Sequence, residues 1–198
     1  MFDGVTSVDG RLAVWMATHR YGPLNDVFVW LGSIERIGAV WMVLAIFVAF
    51  ARWRRGLPAV AAAALTGLTT FAADAITFAV KDLVDRPRPF VVHPQIQPLY
   101  AVHSSSFPSG HAATAFAGAV LVSFLGPRGT PFFMALAVVM AFARVYVGVH
   151  YPGDVIAGAA IGAAVGLLIA MLARFGQRRR RHVVEHVQHP PGQVARDG

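Results

Sequence analysis

Three short stretches of this chain carry side chains that could do chemistry. Ala143 to Asp154, ARVYVGVHYPGD, sets Arg144, His150 and Asp154 between two apolar segments. Phe107 to His111, FPSGH, puts Ser109, Gly110 and His111 at the start of another. Lys81 to Pro89, KDLVDRPRP, ends a third with Lys81, Arg86 and Arg88. Ionisable groups beside a hydrocarbon layer are costly, so groups kept there mark a functional site by default.

Each stretch suits an anion. Ser109 is a good helix N-cap, and Gly110 leaves its backbone N–H open to close approach. The helix they begin would offer unpaired N–H groups and the positive end of a dipole, with His111 in its first turn. Pro152-Gly153 breaks the chain before Asp154 and lets that carboxylate reach back to the ring of His150. An aspartate on one ring nitrogen fixes the tautomer and raises the basicity of the other.

Arginine forks pair with phosphate oxygens two at a time, a lysine adds a point charge, and no carboxylate cluster is available for magnesium or zinc. The inventory suits a phosphoryl group. Catalysis would rest on positioning and charge neutralisation, with one histidine as nucleophile and the other as acid. Lys81 is the only lysine against sixteen arginines, so it is not a generic positive charge.

The elements that must position these groups are apolar helices. The chain has 198 residues, 56% of them hydrophobic and 14% charged, and a mean hydropathy of +0.57, which is the composition of an integral membrane protein. Spans are expected at 37–51, 57–80, 109–125, 132–147 and 155–174, a bundle of five transmembrane helices in an all-α protein. Residues 1–35 offer no stretch of about 20 apolar residues and read as one or two short interfacial helices.

The domain division is 1–36 interfacial, 37–176 transmembrane and 177–198 a basic, disordered tail. Basic clusters at Arg52, Arg54 and Arg55 and at Arg178 to Arg181 place those ends in the cytoplasm and the histidine-bearing edges outside. The formal charge of +7 is carried mainly by arginines at span ends and in the tail, which points to headgroups and topology and not to nucleic acid. The absence of cysteine excludes disulfides, thiolate catalysis and cysteine metal sites. The N-terminus lacks the basic region and apolar stretch of a cleaved signal peptide. Gly158, Gly162 and Gly166 form overlapping G-x-x-x-G units, read as packing within the bundle ahead of an oligomer interface.

The three stretches resemble, in order and spacing, the signature motifs of the type 2 phosphatidic acid phosphatase family, PAP2, the membrane lipid phosphatases related to vanadium haloperoxidases. Lys81 with Arg88-Pro89 matches the first, Pro108 to His111 the second, and Arg144, His150 and Asp154 the third. The resemblance implies that His150 attacks phosphorus with Asp154 orienting it, and that His111 protonates the leaving oxygen. It implies that Lys81, Arg88, Arg144, Ser109 and the Gly110 N–H hold the phosphate, with no metal and no cofactor. Ala143 stands where the family pattern has serine, and the family's usual six spans are expected here as five.

The favoured substrate is undecaprenyl pyrophosphate at the outer face of a bacterial inner membrane, with phosphatidylglycerol phosphate and phosphatidic acid close behind. A soluble haloperoxidase is disfavoured by the apolar spans. A non-catalytic lipid-phosphate binding or transport protein would not need both histidines and the aspartate. Asp74, the one acid inside a span, reads as a structural hydrogen-bonding group ahead of a catalytic one or a wall of the substrate groove, and His93 and His103 read as solvated.

Overall fold

A computed structural model describes residues 8–34, 38–52 and 58–188, with side chains described through residue 176. Every regular element among them is helical: α1 (Val8–Thr18), α2 (Asn25–Ile34), α3 (Ala39–Ala51), α4 (Ala59–Val84), α5 (Pro89–Val92), α6 (Gly110–Leu125), α7 (Thr130–Tyr146) and α8 (Pro152–Gln188). Local chemistry sets the ends. Asp85 takes a left-handed conformation, φ 42°, and closes α4 by donating its N–H to the Lys81 carbonyl. Pro89 and Pro152 open α5 and α8, where a missing N–H costs nothing.

Ala59–Val92, Pro127–Tyr146 and Pro152–Gly176 are long and apolar enough to cross a membrane, and α2 with α3 adds a fourth if that bent pair is one span. The expected span at 37–51 is the 13-residue α3. The expected span at 109–125 is α6, 16 residues and about 24 Å long at ~1.5 Å per residue, short of a ~30 Å hydrocarbon layer. The helix expected to end at 174 continues to Gln188, through part of the segment read as a disordered tail. No proline falls between Pro152 and Pro190, and the arginines, glutamate and glutamine near the end of that stretch are good helix formers. Residues 189–198 of that tail lie outside the described residues.

The packing runs small inside and large outside, as suits a bundle in lipid. Helix α6 lies at the centre against α3, α4, α7 and α8. Its buried face is largely alanine and glycine, while Phe47, Phe50, Phe71, Phe78, Ile156 and Met171 on other helices are exposed. Gly158, Gly162 and Gly166 of α8 face the backbone carbonyls of Ser109, Ala113 and Ala117 on α6, so a Cβ on any of them would collide with that backbone. The G-x-x-x-G stripe is thus used within the chain, and overpacking of this kind costs about 1–3 kcal/mol. The buried threonines of α4 satisfy themselves locally: Thr66, Thr69 and Thr77 donate to the carbonyls of Ala62, Leu65 and Asp74 at 2.7–2.8 Å. The tight α6–α8 contact brings the start of α6 beside the start of α8, where Ser109 N donates to the Asp154 carbonyl at 3.0 Å.

Candidate active site

The three polar stretches meet at that junction. A cavity of about 210 Å³ is lined by Lys81, Arg88, Gly110, His111, Arg144 and His150, with Asp74, Tyr100 and Ser104 on its walls. Lys81 comes from the last turn of α4, and its Nζ donates to the Ser105 carbonyl at 2.7 Å. Arg88 caps α5 and is held on three sides. Its Nε donates to the Ser104 carbonyl at 2.6 Å, its Nη1 to the Val149 carbonyl at 2.7 Å and its Nη2 to Ser104 Oγ at 3.0 Å.

Arg144 is fully buried in the last turn of α7. Its Nη1 donates to the Tyr100 hydroxyl at 2.6 Å, while its Nε and Nη2 are buried with no hydrogen-bond partner. A buried guanidinium with two donors unused is costly, and the cost is removed by an anion in the adjoining cavity. Gly32 of α2 lies directly against this guanidinium, where any Cβ would collide with it. The Gly32 backbone also serves as a hydrogen-bond partner of the His111 ring.

His150 follows α7 in a turn that Gly148 makes possible with φ 83°. Its Nδ1 lies 3.5 Å from Asp154 Oδ2 and makes no formed hydrogen bond, so this pair is a close contact that a bound substrate can tighten. Its Nε2 lies 3.4 Å from Arg88 Nη1. Guanidinium carries only donors, so the Nε2 facing it is assigned the lone pair and Nδ1 the proton. Burial pushes the His150 pKa down to about 4, and Arg88 and Lys81 push the same way against Asp154.

Asp154 has no solvent exposure and is held by more groups than the sequence indicated. Arg86 Nη1 donates to Oδ1 at 2.6 Å, and Tyr151 N donates to Oδ2 at 2.9 Å, as does the Ser106 hydroxyl. Arg86, grouped in the sequence with Lys81 and Arg88, therefore faces the carboxylate and not the cavity. Its Nη2 also donates to Asp9 of α1 at 2.8 Å, and Asp9 in turn accepts from Gly153 N at 2.7 Å.

Ser109 is buried behind the cavity, where its Oγ accepts from Ala112 N at 3.4 Å as the N-cap of α6. Ala143 is fully buried one residue before Arg144. His103 is exposed, as read. His93, read as solvated, is instead 4% exposed and meets the edge of Tyr151 at 6.2 Å, because the segment after α5 folds back against α1 and does not run out into solvent.

Sequence reasoning missed Tyr100, Gly32, and the serines at 104, 105 and 106. Ser104 contacts Arg88, Ser105 contacts Lys81 and Arg88, and Ser106 contacts Asp154. Their one signal was a polar triplet running directly into FPSGH.

Comparisons with known proteins identify the family. The family model described as the PAP2 superfamily matches residues 57–178. Decaprenylphosphoryl-5-phosphoribose phosphatase of Mycobacterium tuberculosis is 38% identical over 142 residues, covering 71% of this chain and 76% of that protein. An undecaprenyl-diphosphatase of Sulfolobus acidocaldarius is 31% identical, covering 77% and 72%. The crystal structure of a PAP2-type phosphatidylglycerolphosphate phosphatase from Bacillus subtilis has the same fold, with a TM-score of 0.69, 21% identity and coverage of 87% of both chains. With all three motif stretches inside the matched region, this chain belongs to the PAP2 superfamily.

Proposed function

We propose that this protein is an integral membrane lipid phosphatase that removes a terminal phosphoryl group through a phosphohistidine on His150. The observation that carries the reading is Arg144, which lines the same cavity as Lys81, Arg88 and His150 and keeps two buried donors without a partner. That is a site with its positive charge prepaid and its nucleophile neutral.

Lys81, Arg88, Arg144 and the Gly110 N–H hold the phosphoryl oxygens, and Ser109 fixes the turn that presents Gly110. The Nε2 lone pair of His150 forms a bond to phosphorus while the bond to the leaving oxygen breaks. His111, which takes up a proton as the anionic substrate binds, gives it to that oxygen. A water then loses a proton to His111 and attacks phosphorus, the nitrogen–phosphorus bond breaks, and both rings return to their starting states. Asp154, drawn closer once substrate is bound, holds the Nδ1 proton of His150 during the transfer. The three cations neutralise the transferred charge, so the reaction needs no metal and no cofactor.

In the membrane reading, α4, α7 and α8 cross the membrane, and the shorter α3 and α6 complete the bundle expected as five transmembrane helices. The site opens to the extracytoplasmic side of a bacterial inner membrane, and the C-terminal end of α8 lies on the cytoplasmic side. The substrate is a lipid phosphate or lipid pyrophosphate. Undecaprenyl pyrophosphate, phosphatidic acid and phosphatidylglycerol phosphate are the candidates, and the relatives named for decaprenyl and undecaprenyl substrates support that class. Phosphate release by the detergent-solubilised full chain tests the reading. Wild type should release phosphate with EDTA present and His150→Ala should not; equal release by the two, or abolition by EDTA, would overturn it.

A further inference from the structure

Asp74 has no part in the chemistry above, yet it stands inside the site. It is the one acid in α4 before Lys81, seven residues earlier and so two turns away on nearly the same face. Its carboxylate lines the same cavity as the three cations and both histidines. It is exposed, in a helix whose other exposed residues include Leu68, Phe71, Ile76 and Phe78. An exposed carboxylate there is costly unless something polar reaches it.

Its position is defined. A Cβ on Gly110 would come within 2.9 Å of Asp74 Oδ1, so the carboxylate sits against the residue preceding His111. It therefore borders the flank on which the leaving oxygen receives its proton. An ionised carboxylate only accepts hydrogen bonds, and it repels phosphate oxygens. It cannot hold the transferred phosphoryl group, but it can accept from a hydroxyl on the leaving group. A plain hydrocarbon alcohol offers it no second hydroxyl, and the inner phosphate of a pyrophosphate brings like charge.

We infer that Asp74 is a specificity-determining residue, one that accepts a hydrogen bond from a hydroxyl-bearing leaving group and disfavours a pyrophosphate. The substrate class is then a phosphate monoester on the polyol or sugar part of a lipid. This rests on the lipid phosphatase reading, and it ranks the candidates left open there.

The test measures kcat/KM of the full chain in mixed micelles on three probes. Phosphatidylglycerol phosphate has a leaving group with a spare hydroxyl and its phosphodiester charge a glycerol away from the reacting oxygen, phosphatidic acid has neither a spare hydroxyl nor a second phosphate, and undecaprenyl pyrophosphate has its leaving-group charge on the phosphorus that bears the leaving oxygen. Wild type should prefer phosphatidylglycerol phosphate over the pyrophosphate at least about tenfold, in keeping with the strong discrimination of sites built around a substrate hydroxyl. Asp74→Asn, which keeps the shape and removes the charge, should shrink that ratio at least about tenfold, and Asp74→Glu should keep more of it. A ratio unchanged in Asp74→Asn, a uniform drop on all three probes, or a wild-type preference for the pyrophosphate would overturn the assignment. Phosphate release from all three that is the same in His150→Ala would instead overturn the phosphatase reading itself.

Discussion

Arg86 donates to Asp154 Oδ1 at 2.6 Å, so the carboxylate facing His150 is itself gripped by a cation that never reaches the cavity. The same guanidinium lies 3.9 Å from the centre of the Tyr151 ring and ties Asp9 of α1 to the turn. Removing it leaves the Asp154 charge less compensated and free to shift. Arg86→Gln should lower kcat about 10- to 100-fold, the scale of a small misplacement behind the reacting groups. Less opposed, Asp154 would also favour a proton on His150, so the acid limb of kcat/KM should move to higher pH. A purely structural role would lower the rate without moving that limb.

The wild-type pH profile follows from the burial of His150. Its pKa of about 4 lies well below the ordinary histidine value near 6.5, so the ring stays neutral and nucleophilic in moderately acidic solution. The acid limb of kcat/KM assigned to His150 should therefore fall near pH 4 and not near 6.5. The same shift has a sign for stability. The unfolded ring takes up its proton near 6.5 and the folded one only near 4, so its contribution favours folding above that window and weakens as pH falls through it. An acid limb near 6.5 in both the wild type and Arg86→Gln would contradict this account of the ring.

Gly32 makes a third prediction, on a residue far from the motifs. Any Cβ there enters the Arg144 guanidinium, whereas one on Gly22 meets nothing within 4 Å. Gly32→Ala should push Arg144 off the phosphate site and lower kcat/KM about 100-fold, the scale for losing one prepositioned donor. Gly22→Ala should leave it within about twofold, since surface substitutions of this kind change little. Equal activity of the two variants, in phosphate release per folded protein, would show that α2 does not bear on the site.

These residues also show where sequence reading stops. Lys81, Arg88, His111, Arg144 and His150 were legible because their spacing to span ends puts them at one edge of the bundle, and they line one cavity. Asp154 was legible because Pro152-Gly153 lets it turn back. Spacing could not separate Arg86 from Arg88, two residues apart in an irregular segment, although one grips Asp154 and the other faces His150. Tyr100 and the serines at 104, 105 and 106 lie in a proline-rich connection with no periodicity to reveal which way they face. Gly32 gave no signal, because its contact with Arg144 comes from packing between distant parts of the chain. Helix α6 read as one more span, yet its length and its four neighbours make it the core on which the site is built.

The central claim is that His150 carries the phosphoryl group, and rapid-quench trapping with radiolabelled phosphatidic acid tests it most directly. Wild type should show a burst of protein-bound label that is stable in alkali and lost in acid, as a phosphohistidine is, and His150→Ala should show none. Turnover by wild type with no bound label, or label retained in His150→Ala, would contradict the account.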